Sequence, residues 1–286
     1  MPKPQLSAVP AAQVAKRKAA PRDDEGDSDA ESDVSMINVD FDFMNLNPDV
    51  DQIAIKRLLR QTLSHDDHLV DVHTLADLIL EEGARLKAGS TIKTDGEESD
   101  PWGLLATVDV NRPLTNPDAL KPFITYLLSH NPPAPIKAAL EGAGPRTALL
   151  FSLRLLNLPV PLIPPLYKML GSELAESGTN FEQYILWGRG YKLEGKEEAM
   201  GLELNSAPKN NKKSKGGAGQ LAAGSFPYHP EEEMIEARAK STFTFPLKTA
   251  PPRDDEAFGV EQFGRLLLID AAKLAQAVEA MEEACR

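Results

Sequence analysis

Two stretches decide the architecture. WGLLATVDV (residues 102–110) and RTALLFSLRLLNLP (146–159) are apolar at successive positions rather than alternate ones. A strand that is apolar on both faces must be covered on both, so each is expected as an inner strand of a sheet held between helices. FEQYILWGRGYKL (181–193) and RLLLID (265–270) read as further strands, and GSTIK (89–93) pairs with the first across an acidic turn containing Asp95, Glu97, Glu98 and Asp100.

Alternation marks the rest of the sheet. Ile37, Val39, Phe41 and Phe43 fall on one face and Asn38, Asp40 and Asp42 on the other, a half-buried period of two opening at Met36. Residues 235–247 alternate in the same way, with a helix over 231–240 as the competing reading.

Helical stripes fill the gaps. Asn47–Pro48 reads as an N-cap and first helical residue before Ile55, Leu58, Leu59 and Leu63. Asp71 caps a second helix with Val72, Leu75, Ala76 and Ile79 buried and Gly83 placed to end it. Further helices follow from about Pro122, from Ile163 and from Asp270. The sum is about seven strands and five helices in one mixed α/β domain, residues 36–286, with a flexible basic loop at about 205–227.

Charge is distributed unevenly. Residues 1–35 hold almost no large apolar side chains and are expected as a disordered tail, basic at Lys16, Arg17 and Lys18 and then acidic at Asp23, Asp24, Glu25, Asp27, Asp29, Glu31 and Asp33. Lys212, Lys213 and Lys215 form a second basic cluster in the loop. Setting aside a tail of net −2 and a loop of net +4 from a chain of net −12 leaves the folded part at −14. Such a body repels nucleic-acid phosphates and anionic membranes and attracts cationic proteins, although acidity also serves solubility alone. The two basic clusters suit short nuclear-import addresses or plain solvated linkers, and Ser28, with Glu31 three residues on, is a candidate phosphosite. The single cysteine, Cys285, points to a reducing compartment, cytosol or nucleus, and no apolar run reaches the length of a membrane span.

Motifs for catalysis are weak. SHDDHLVDVH brings together His65, His68, His73 and three aspartates, the best metal candidate, but it straddles a helix end and a helix start and reads as a solvated turn. LEGAGPR has the glycines of a phosphate loop in the reverse context, after a helix and before a strand, so Gly142 and Gly144 read as a C-cap. No nucleophile elbow or Walker loop occurs, and Cys285 lies on an apolar stripe. Trp102, Tyr184 and Trp187 are expected in the core. No catalytic, cofactor or metal residue is assigned.

The succession INVDFDF, DPWGLLATVDVN, LLFSLRLLNLPVPLIPPLYKML, EEEMIEARAKSTFTFPL and LLLIDAAKLAQAVEAMEE, with a lysine-rich loop before the EEE run, resembles the BCCIP family from about residue 37 to 283. The resemblance implies a GNAT-like fold, that of the Gcn-five-related acetyltransferases, with a mixed seven-stranded sheet flanked by helices and without the enzymatic activity. It further implies a nuclear protein, shuttling with the cytoplasm, that chaperones a basic ribosomal protein of the large subunit in ribosome biogenesis and nuclear protein export. Two alternatives stand beside it: an export adaptor linking a phosphatidylinositol-phosphate kinase to nuclear transport factors, and a coenzyme-binding acyltransferase-like enzyme. Against the latter, RLLNLPVPLIPPLYK carries no glycine where acetyl-coenzyme A binders of that fold place their pyrophosphate loop.

Overall fold

The computed structural model describes residues 39–111, 119–192, 225–250 and 260–285. In chain order the elements are β1 (Asp42–Asn45), α1 (Gln52–Leu63), a 3-10 helix (Ser64–Leu69), α2 (Val72–Leu86), β2 (Ser90–Lys93), β3 (Gly103–Asp109), α3 (Lys121–Leu128) and α4 (Ala134–Leu140). There follow β4 (Thr147–Arg154), a short 3-10 turn (Val160–Leu162), α5 (Ile163–Glu176), β5 (Gln183–Lys192), β6 (Ser225–Pro227), α6 (Glu232–Glu236), β7 (Ser241–Pro246), β8 (Glu261–Asp270) and α7 (Ala271–Ala284).

The sheet runs β1-β2-β3-β4-β5-β8-β7, with β6 paired to β5. All its pairings are antiparallel except β4–β5, and that parallel pair is joined by the crossover such a pair requires, here α5. β3 and β4 are buried along their whole length, as the apolar runs on both of their faces demand. Side-chain alternation divides the core in two. Phe151, Ile185, Trp187 and Leu266 pack under α1 to α4, whereas Leu150, Tyr184, Leu186 and Leu267 pack under α5 to α7. The result is one open mixed sheet flanked by helices on both faces. Tyr184 and Trp187 are core residues as expected; Trp102 is half-buried against Phe41.

Several boundaries differ from expectation for identifiable reasons. Asn47 and Pro48 belong to a turn, because the Asn47 N–H donates to Asp51 Oδ2 (2.8 Å) and the Asp51 N–H to the Asn47 carbonyl (2.9 Å); α1 starts only at Gln52. Gly83 does not end α2. The helix continues to Leu86 and closes on Lys87 at φ 51°, while Gly83 serves close packing: a Cβ there would stand 2.4 Å from Leu46 Cδ1. The alternating stretch 235–247 satisfies both of its readings in turn, α6 first and β7 second. Ser225–Pro227, expected as the end of a flexible loop, is β6, which makes the sheet eight-stranded among the described residues. β1 begins at Asp42, β4 stops at Arg154 and β8 reaches back to Glu261.

Candidate functional site

β4 and β5 pair from Thr147–Gln183 to Phe151–Trp187 and then separate. β4 continues along β3 to Arg154, and β6 takes over the released side of β5 at Gly190 to Lys192. The chain leaving β6 turns into the gap and inserts Glu231 and Glu232. Gly188 makes room for Glu232, since a Cβ there would lie 3.0 Å from Glu232 Oε1.

Two arginines meet these carboxylates. Arg154 Nη2 donates to Glu231 Oε2 at 2.7 Å and Arg154 Nη1 to the Leu158 carbonyl at 3.0 Å. Arg265 of β8, 1% exposed, reaches Glu232 Oε2 at 3.3 Å and Glu236 Oε2 at 2.7 Å. His229 Nδ1 stands 3.4 Å from Glu232 Oε1. Charges this far from water persist only when paired, and the pairing staples β4 and β8 to the segment that carries α6. What is left of the gap is a cleft of about 10 Å³ beside Ser152, Arg154, Arg189, Tyr228 and His229, room for about one water. The residues present do not fit a coenzyme there.

The same economy recurs elsewhere. Lys93 Nζ, fully buried, lies 2.7 Å from Asp51 Oδ1 and donates to the Glu97 carbonyl at 2.5 Å. Asp66, also fully buried, accepts from Tyr126 Oη (2.8 Å), from the Lys248 and Thr249 N–H groups (2.9 and 2.8 Å) and from Thr249 Oγ1 (2.9 Å). Burial alone would raise its pKa, but these donors together outweigh burial and hold it below the ordinary aspartate value. The three buried cations, Lys93, Arg154 and Arg265, therefore each face a carboxylate from the same molecule.

Outside, acids are in surplus. In the β2–β3 hairpin Asp95, Glu97, Glu98 and Asp100 are all exposed, and among the described residues only Asp100 of the four makes an ion pair, to Arg57 at 3.1 Å. Of the expected site residues, the acidic run Asp23, Asp24, Glu25, Asp27, Asp29, Glu31 and Asp33, Ser28 within it, and the basic clusters Lys16, Arg17, Lys18 and Lys212, Lys213, Lys215 all lie outside the described residues.

The histidines do not converge. His65, His68 and His73 are exposed, His73 pairs with Asp77 at 3.9 Å, and Asp66 is committed to Tyr126 and Thr249; among the described residues no three His, Cys, Asp or Glu are grouped to hold a metal. Gly142 and Gly144 have φ of 69° and 104° and close α4, with the Ala143 N–H donating to the Ala138 carbonyl at 2.8 Å. Burial first, and the Glu231 charge second, pushes the Cys285 thiol up, away from thiolate chemistry. No helix among the described residues is long and apolar enough to cross a membrane. The ionic plug itself escaped sequence reading, although a signal existed: Arg154 and Arg265 stand alone in the apolar runs SLRLL and GRLLLID, and a lone cation in an inner strand calls for a buried acid.

Comparison with known proteins decides the lineage. A family model described as BCCIP matches residues 36–235. The chain belongs to the BCCIP family. Among BCCIP relatives, Protein BCP1 of Debaryomyces hansenii is 33% identical over 273 residues, 87% of this chain and 86% of that one. Protein bcp1 of Schizosaccharomyces pombe is 33% identical over 256 residues, 83% and 86% of the two chains. The crystal structure of BCP1 from Saccharomyces cerevisiae superposes with a TM-score of 0.61 at 25% identity, covering 90% of this chain and 94% of that one. None of these names denotes a catalytic activity.

Proposed function

We propose that this BCCIP-family protein is a non-enzymatic nuclear chaperone that shields a basic ribosomal protein of the large subunit until ribosomal RNA replaces it. The observation that carries the reading is the division of charge. Buried cations are matched inside by Asp51, Glu231, Glu232 and Glu236, while acids without an ion pair among the described residues, such as Asp95, Glu97 and Glu98 of the β2–β3 hairpin, stand on the surface, where they can meet a cationic client.

The architecture is taken here as a GNAT-like sheet whose coenzyme slot is closed. In support, the separation of β4 from β5 is filled by Glu231 and Glu232 and no glycine follows β4 before α5. The acidic run Asp23–Asp33 adds anionic charge for the client, and Lys16–Lys18 with Lys212–Lys215 supply import signals, so the protein works in the nucleus and accompanies its client there.

The test is co-expression with basic large-subunit ribosomal proteins, followed by co-purification across a salt series. A client that becomes soluble and is released as ionic strength rises supports the reading. Clients that stay equally insoluble with and without the protein would refute it, as would turnover of an acyl-coenzyme A.

A further inference from the structure

An eight-stranded open sheet has two outer edges, and this one treats them differently. β7 carries Pro246, which cannot donate to a neighbour, and is bracketed by Lys240 and Lys248. Proline and lysine are the usual means of keeping foreign strands off an edge; Lys240 is paired with Asp270 at 3.4 Å, and the charge of Lys248 would repel a basic strand in particular. β1 has neither. Residues Asp42–Asn45 contain no proline or cation, and β1 pairs with β2 alone among the described strands.

Acids flank β1 in the chain. Asp40 and Asp49 are exposed and Asp42 is half-buried; none of the three has an ion pair among the described residues. At the end of the strand opens a groove of about 300 Å³ lined by Asn45, Leu46, Gly83, Ala84, Ala88 and Gly89, with Lys87 at its rim. Its two glycines accommodate Leu46. A Cβ at Gly83 would come within 2.4 Å of Leu46 Cδ1 and one at Gly89 within 2.9 Å, so their absence lets Leu46 sink against α2. Apart from Asn45 the lining is aliphatic and small, and Lys87 turns away a cationic side chain, so of a basic segment the groove takes an aliphatic one.

An unpaired edge, a pocket for one side chain and flanking carboxylates are the parts of strand addition, in which main-chain bonds give affinity and pockets give register. We propose that β1 receives an extended, lysine- or arginine-bearing segment of the client as a ninth strand, anchored by one aliphatic side chain beside Leu46 and Ala84. The inference rests on the chaperone reading and adds to it the surface and the conformation of the bound client.

The probe is a synthetic peptide alternating lysine with valine around one leucine, mixed with the full chain and followed by hydrogen exchange and titration. Exchange over Asp42–Asn45 is expected to slow while Ser241–Pro246 is unchanged. Ala84→Trp, at an exposed α2 position, fills the groove and is expected to weaken binding about tenfold or more, the worth of one buried aliphatic side chain. Asp40→Lys with Asp42→Lys, which leaves the groove intact, is expected to weaken it and flatten its salt dependence. Peptide bound with no protection of β1, affinity untouched by both variants, or β1 protected in peptide-free samples by self-association would overturn the proposal. If the chain still solubilises basic clients in those cases, strand addition fails and the chaperone reading stands; if no basic client is held at all, both fall.

Discussion

Replacing Arg154 by methionine tests whether the plug in the sheet is held by charge. Arg154 Nη2 donates to Glu231 Oε2 at 2.7 Å with both side chains 3% exposed, and Glu231 Oε1 has no hydrogen-bond partner among the described residues. Removing the guanidinium leaves a carboxylate that cannot reach water without pulling α6 and β6 away from Gly188. Leaving one member of such a pair costs about 3–5 kcal/mol. At roughly 2–4 °C per kcal/mol for a chain of this size, the melting temperature should fall by roughly 6–20 °C. The double variant Arg154→Met with Glu231→Leu removes both charges and fills the volume, so it should return to within about 1–2 kcal/mol of the parent, because a buried pair is worth little more than an apolar one. Urea and thermal unfolding followed by near-ultraviolet circular dichroism measure both. A single variant within 1 kcal/mol of the parent, or a double variant no better than the single, would show that the network adds nothing to the fold.

Three further outcomes follow from the same geometry. Gly264→Ala would drive a Cβ to 2.3 Å from the Phe245 ring, which is 2% exposed and stacked near His130, so a loss of about 1–3 kcal/mol is expected in urea unfolding. Asp71→Ala removes the acceptor for the His73 and Thr74 N–H groups and should lower stability by about 1 kcal/mol, with Asp71→Asn retaining most of it. Asp66, depressed by its donors in the fold, contributes stability that is fully present above the ordinary aspartate pKa of 3.8 and disappears as pH falls through its lower folded value. Acid titration should therefore destabilise the parent more steeply below pH 3.8 than it does Asp66→Asn.

Inner strands were the most legible part of the chain. β3, β4 and β5 announce themselves because a strand covered on both faces carries apolar residues at successive positions, rich here in Leu, Ile, Val and aromatic residues. Helix stripes were equally clear at Leu58, Leu75 and Leu166. Boundaries were not, and Asn47 shows why: its sequence fits a cap, yet Asp51 competes for the local hydrogen bonds and is itself held by Lys93, a residue 42 positions away in the chain. β6 was invisible because three residues, SFP, have no period, and the pairing that defines them comes from the far end of β5. The ionic plug was hidden for a related reason, since Arg154 and Glu231 meet only through the topology.

EEE at 231–233 carries this point into function. The three letters are chemically identical, but Glu231 and Glu232 are buried against Arg154 and Arg265, whereas Glu233 is exposed and near enough to Tyr191 for its charge, after burial and Tyr228, to help raise that phenol. Net charge counts all three alike and so overstates what a client can feel. Glu233→Lys should thus weaken capture of a basic client, most at low salt, with stability changed by less than about 0.5 kcal/mol. Glu231→Lys should unfold the protein before capture can be measured. Equal stability losses in the two variants would mean that fold and surface draw on one undivided set of acids, and electrostatic capture could then not be altered separately from the plug.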